Sequence, residues 1–201
     1  MYVRPTCSTL FELTEKKSRF LCHIIPCRTR QCADTALAKL QEKFSDARHC
    51  CWAMVLGDPQ NPESIAWNDD GEPAGTAGKP ILNVLHHKNI GDALAVVVRY
   101  FGGVKLGAGG LVRAYAGATN QAIELAVFEQ VTLCKYLTVA VPYHLEGQVR
   151  HWLESEPGSI VTVRHSATVH FEVKLPAAIV TNFERWLSEV SGGQAVFIEI
   201  K

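Results

Sequence analysis

The sequence predicts an α+β protein of two domains, residues 1–130 and 131–201, on three observations. The second part alternates period-two and helical apolar patterning in the order β-α-β-β-α-β, the split βαβ plan. The first part mixes strand-like runs with amphipathic helices. Two glycine-rich polar segments, 68–80 and 102–110, interrupt that first part.

In the first domain, 9–13 and 19–25 read as strands flanking the charged turn Glu15-Lys16-Lys17. Ala33, Ala36, Leu37, Leu40 and Phe44 mark an amphipathic helix. The apolar run 50–56 predicts a buried strand, with 64–67 as its partner. After the segment 68–80 comes a short helix over 81–86. Length and β-branching make 94–101 a buried strand. The glycines of 102–110 then open a long helix over 111–128, apolar on more than one face and so expected to pack deeply. The boundary falls near Gln130.

In the second domain, Leu137, Val139 and Val141 alternate with Thr138 and Ala140, as on a half-buried strand. Leu145, Val149, Trp152 and Leu153 follow at helical spacing, and Glu156-Pro157-Gly158 ends that helix. A second strand covers 160–164. A third has a wet face, because Ala167, Val169, Phe171 and Val173 alternate with Thr168, His170, Glu172 and Lys174. Pro176 suits a first helical position, and Ile179, Phe183, Trp186, Leu187 and Val190 then share one face. Ser191-Gly192-Gly193 breaks the helix before a last strand at 196–200. Trp152 and Trp186 are expected in the core.

Of 201 residues, 47% are hydrophobic and 20% charged, the profile of a globular rather than a disordered chain. Lys plus Arg equals Asp plus Glu at 20 each, which excludes a general polybasic coat. Residues 1–130 hold 14 cations and 13 acids, and 131–201 hold 6 and 7, so the charges that matter are positional. No apolar run reaches the ~18 residues of a membrane span; the run 93–98 stops at Arg99. The N-terminus lacks the apolar stretch of a secretory signal. A cytoplasmic protein with no membrane partner is expected.

The seven cysteines (7, 22, 27, 32, 50, 51 and 134) include no Cys-x-x-Cys pair. They read as reduced thiols packed as small hydrophobes. A nucleophile at Cys50 beside His49 is the weaker reading, since adjacent strand residues face opposite ways.

Residues 68–80 combine three carboxylates, turn residues and one lysine. Asp69, Asp70 and Glu72 could be metal ligands or acceptors for basic groups, with Lys79 on a phosphate. Alternatively the acids are solvated or hold Arg99 in an ion pair. Lys79 is followed by Pro80, so the P-loop pattern fails, and the spacing of Gly107, Gly109 and Gly110 does not match a dinucleotide fingerprint. Those three glycines still place free N–H groups at the positive end of a helix, with Arg99, Lys105 and Arg113 nearby. The competing reading is tight helix-on-sheet packing with Arg113 a surface residue. His49 is either a general base oriented by Asp46 or Asp69, or a strand-start histidine satisfied by backbone. His86 and His87 read as solvated helix-end residues.

Three motifs together resemble the signature of the IMPACT family, closest to its bacterial, YigZ-type members. They are Lys16-Lys17-Ser18-Arg19-Phe20, the segment from Asp69-Asp70-Gly71-Glu72-Pro73 to Lys79-Pro80, and Val97-Val98-Arg99-Tyr100-Phe101-Gly102-Gly103 followed by Leu106-Gly107. The resemblance implies an N-terminal domain similar to the second domain of ribosomal protein S5. That fold is shared with domain IV of elongation factor G, ribonuclease PH and the GHMP kinases. It implies a ferredoxin-like C-terminal domain similar to domain V of elongation factor G. Eukaryotic members restrain a starvation-response kinase through an additional N-terminal domain; this chain opens directly on the family core, so that partner is not carried over.

The expectation is therefore a translation-associated regulator or a nucleic-acid- or ribosome-binding protein without catalysis, metal or cofactor. It would contact phosphates through 71–80 and 102–113, using Lys79, Arg99, Lys105, Gly107, Gly109, Gly110 and Arg113. RNA, the ribosome or a protein of the translation machinery would be the partner. His49, Asp69, Asp70 and Glu72 form a polar loop without an assigned role. The alternatives are a metal-dependent enzyme acting on a phosphorylated substrate at Asp69, Asp70, Glu72 and Lys79, or a protein-interaction module. Zero net charge weighs against RNA, as does a wet sheet face carrying Thr168 and His170 rather than stacking aromatics.

Overall fold

A computed structural model describes residues 1–200. Among these are five α-helices and three β-sheets, in two compact units, Met1–Val131 and Thr132–Lys201.

The first unit is built on an antiparallel sheet of five strands: β2 (Thr9–Glu15), β3 (Ser18–Pro26), β4 (His49–Asp58), β5 (Asn61–Asn68) and β6 (Ala93–Tyr100). Their spatial order is β2-β3-β6-β4-β5, so the last of the five in sequence occupies the centre. Helices α2 (Gly78–His87) and α3 (Ala108–Leu125) share one core with Ala93, Ala95 and Val97 of β6. Helix α1 (Arg30–Lys43) shares another with Leu94, Val96 and Val98. Alternate residues of one strand thus feed two cores. This is why β6 reads as an unbroken apolar run rather than an alternating one.

A short two-stranded sheet pairs β1 (Tyr2–Pro5) with β7 (Phe128–Val131). Neither strand was expected from the sequence, which extends the long helix to 128. Helix α3 ends at Leu125 instead, and its second apolar face is buried only in part, at Ile123. Leu111, Ala114, Tyr115, Ala118 and Ala122 pack inward, whereas Val112 and Leu125 are exposed. Asp92 fastens the short sheet to the main one: it accepts from the Tyr2 hydroxyl at 2.7 Å and from the Gly57 amide at 2.9 Å.

The second unit follows the order β8 (Cys134–Val141), α4 (Glu146–Ser155), β9 (Ser159–His165), β10 (Val169–Pro176), α5 (Val180–Ser191) and β11 (Val196–Ile200). Its antiparallel sheet runs β11-β8-β10-β9. The buried residues of β10 (Val169, Phe171, Val173 and Leu175) meet Val149, Leu153, Phe183 and Leu187 from the helices. Pro176 ends β10 rather than opening α5, which is preceded by a 3-10 turn. Trp152 and Trp186 stack at 5.6 Å on the margin of this core, half-buried rather than inside it. Gly192, at φ +58°, supplies the left-handed residue that stops α5. No helix among the described residues is long and apolar enough to cross a membrane.

Candidate functional site

The carboxylates of the loop between β5 and α2 organise the site. Asp69 collects three backbone amides: Gly75 on Oδ2 at 2.8 Å, and Ala77 and Gly78 on Oδ1 at 2.9 and 2.8 Å. It therefore satisfies the orphan donors at the start of α2, the work of an N-cap carried out from a distance. That anchorage is why α2 begins at Gly78 and not at Ile81. Asp70, in the left-handed region at φ +41°, accepts from the Cys50 amide at 2.7 Å and ties the loop to β4. Its carbonyl lies 2.8 Å from Nδ1 of His49, the first residue of β4. A carbonyl only accepts, so Nδ1 carries a proton, and Nε2 is the ring's remaining nitrogen. The Asp70 carbonyl thus satisfies one ring nitrogen of His49.

Glu72 turns inward. One carboxylate oxygen accepts both from Nη1 of Arg99 on β6 and from the Tyr115 hydroxyl on α3, the latter at 2.8 Å. The two side chains of the ion pair are 4% and 7% exposed. The Arg99 guanidinium also packs against the rings of Phe20 and Phe101, 5.4 and 5.6 Å from their centroids. Cys51 Sγ lies 2.9 Å from the Asp69 carbonyl and 3.3 Å from the Tyr115 hydroxyl. Burial pushes the Cys51 thiol up to about 12, and burial together with Cys51 and Glu72 raises the Tyr115 phenol well above its ordinary value. Both groups are held protonated.

The three acids thus point to three destinations: backbone amides of α2, an amide of β4, and a buried guanidinium. Among the described residues no group of three or more His, Cys, Asp or Glu is placed to hold a metal. The reading of Asp69, Asp70 and Glu72 as a shared metal or catalytic centre is corrected on their geometry. Both oxygens of Asp69, Oδ2 of Asp70 and Oε1 of Glu72 are turned onto separate internal donors.

A cleft of about 330 Å³ opens beside this network. Arg48, His49, Glu72 and Pro73 line one part of it; Phe101, Lys105, Leu106 and the start of α3 at Gly107, Ala108 and Leu111 line the rest. Arg99 also lines the cleft although it is only 6% exposed, and its Nε has no hydrogen-bond partner. Gly107, at φ +72°, precedes the helix and no side chain caps it. The first N–H groups of α3 therefore stand at the mouth of the cleft at the positive end of the helix dipole.

The structure divides the residues expected to bind phosphate. Arg99, Lys105 and Gly107 meet at the cleft. Lys79 does not; it lines a separate cavity of about 370 Å³ between α2 and α3, with Asn83, His87, Lys88, Val112 and Ala116. The single cradle is corrected accordingly, because Lys79 follows the start of α2 whereas the cleft lies at the start of α3. Arg99 is not a free surface cation but half of a buried pair. Arg113 is exposed over Gly109, whose added Cβ would lie 3.6 Å from Nη1, and neither residue lines the cleft. Gly110 serves close packing, since a Cβ there would meet Leu106 Cβ at 3.0 Å. Sequence reasoning missed Arg48, Phe101 and Tyr115. A signal existed for Tyr115, the one bulky polar-tipped side chain among Ala114, Ala118 and Ala122.

Fold and site together define a two-unit α+β protein whose first unit carries a cleft between a carboxylate-locked loop and an uncapped helix start. Comparison with known proteins identifies it further. Residues 16–123, which include every residue lining the cleft, match the Impact N-terminal domain, and residues 139–194 match a domain of unknown function, DUF1949. The IMPACT family member YigZ of Escherichia coli (strain K12) is 38% identical over 186 residues, covering 92% of this chain and 91% of that protein. The member YvyE of Bacillus subtilis (strain 168) is 34% identical over 184 residues, covering 92% and 84%. A crystal structure of a hypothetical protein, 35% identical, superposes with a TM-score of 0.66 over 100% of this chain and 97% of its own. The chain belongs to the IMPACT family.

Proposed function

We propose that this protein is a translation-associated regulator that binds RNA or the ribosome surface without catalysis, with the cleft of the first unit as its phosphate contact. One observation carries the reading: Lys105 and Arg48 line the cleft together with the uncapped start of α3. Backbone N–H groups at a helix start, backed by cations, are a general solution for holding phosphate. The translation setting is supported by family membership alone. For the second unit, the β-α-β-β-α-β order and the β11-β8-β10-β9 sheet support a ferredoxin-like assignment, and for the first we keep the relation to the second domain of ribosomal protein S5.

The test is fluorescence anisotropy with a labelled single-stranded RNA at two salt concentrations. Wild type is expected to bind with affinity falling as salt rises. Lys105→Ala and Arg48→Ala should each lower the salt slope by about one. Lys79→Ala and Arg113→Ala, outside the cleft, should leave it close to wild type. Absence of binding at low salt, or equal losses for all four variants, would sink the reading.

A further inference from the structure

We infer that the cleft is a single-nucleotide pocket, seating the phosphate of a nucleoside monophosphate or of an RNA 5′ end at the start of α3 and stacking the base on Phe101. This rests on the phosphate reading above and narrows it. Phosphate alone needs cations and N–H donors, yet half of the cleft wall is apolar: Phe101, Leu106, Leu111 and Pro73. A ligand matching both halves carries an anionic end and a flat apolar one. A nucleotide has that composition, and base–aromatic stacking is the usual way proteins hold an unpaired base.

Three details of the cleft fit this ligand. Phe101 is 45% exposed, although the strand it follows is buried, and the Arg99 guanidinium behind it fixes the ring. Arg99 is more than nine-tenths buried and lines the cleft with Nη1 held on Glu72, so the wall behind Phe101 is fixed before a ligand arrives. The volume of about 330 Å³ lies at the lower end of small-ligand pockets, enough for one nucleotide and not for a stacked run. A base within a duplex has both faces stacked on its neighbours, so the pocket selects single strands or free nucleotides.

The experiment is isothermal titration calorimetry of the full chain with orthophosphate, ribose 5-phosphate and uridine monophosphate. The same titrations follow for Phe101→Ala and Phe101→Trp. Uridine monophosphate is expected to bind roughly 5- to 100-fold more tightly than ribose 5-phosphate, the contribution of one stacked base. Phe101→Ala should erase that gap while leaving ribose 5-phosphate binding intact, and Phe101→Trp should keep it. Competition by single-stranded RNA bearing a 5′-phosphate but not a 5′-hydroxyl would assign the pocket to RNA ends, and competition by neither would assign it to free nucleotides. Equal affinities for the two ligands, or a gap that survives Phe101→Ala, overturns the pocket even if RNA still binds with a salt slope. Loss of orthophosphate, nucleotide and RNA binding together overturns both this inference and the phosphate reading.

Discussion

Replacing Glu72 by Gln leaves the shape of the cleft wall unchanged and removes one buried charge. The amide keeps an oxygen for the Tyr115 hydroxyl, but Arg99 then sits, 7% exposed, with no counter-ion. Breaking one half of a buried pair costs about 3–5 kcal/mol, because the surviving charge stays desolvated. For a unit with a slope of about 2 kcal/mol per molar urea, that moves the midpoint down by about 2 M. The reporters are Trp52 and Trp67, both in the first unit, observed in a background where Trp152 and Trp186 are replaced by Phe. Adding Arg99→Met removes the stranded charge while keeping an apolar filler between Phe20 and Phe101. The double variant should recover most of the loss. A drop below about 0.3 M for Glu72→Gln, a small fraction of that slope-based shift, would refute the argument, as would a double variant no more stable than the single one.

Further expectations follow from the same geometry. Asp69→Ala unties three amides and should cost about 2 kcal/mol, the upper end of the range for losing a cap, with hydrogen exchange quickening first at Gly75, Ala77 and Gly78. Gly102→Ala would place a methyl 2.0 Å from the Lys17 carbonyl oxygen, and since backbone cannot yield as a side chain does, a loss of about 3 kcal/mol or more in denaturant melts is expected. Burial lowers the affinity of the His23 ring for a proton. The unfolded chain takes up a proton below about pH 6.5 that the native state refuses, so stability should fall as pH drops from there toward the folded value, and His23→Phe should flatten that limb. Burial also raises Cys22 and Cys51 to about 12 and Cys50 to about 11. Iodoacetamide at pH 8 should therefore modify the exposed Cys7 and Cys32 and spare those three, as read by peptide mass.

What the sequence made legible was periodicity. The second unit's element order could be read because its strands alternate cleanly and its helices each show one apolar face. The central strand β6 was legible for the opposite reason, its apolar run being unbroken. The β1–β7 pairing was not, since four-residue strands from the two ends of the unit carry no pattern long enough to detect. At the site, the helix start at Gly107 and its neighbours Lys105 and Arg99 could be nominated from local spacing. The partners could not. Nothing local says that Glu72, rather than Asp69 or Asp70, meets Arg99, nor that Lys79 and Lys105 line different cavities. Those are properties of how strands 50–56 and 94–101 bring distant loops together.

The placement of β6 between β3 and β4 has a consequence for synthesis. As the chain leaves the ribosome, β3 and β4 emerge with α1 while the strand that will separate them is still to come. Each then presents an unpaired edge bearing residues destined for the interior, among them Cys22, Ile24, Ala53 and Val55. Pairing them directly would satisfy those hydrogen bonds in a wrong neighbourhood, and β6 would have to displace one from the other. The nascent first unit is accordingly most open to misassembly and chaperone capture in the interval before residue 100 is released, and closing the central strand is its committing step.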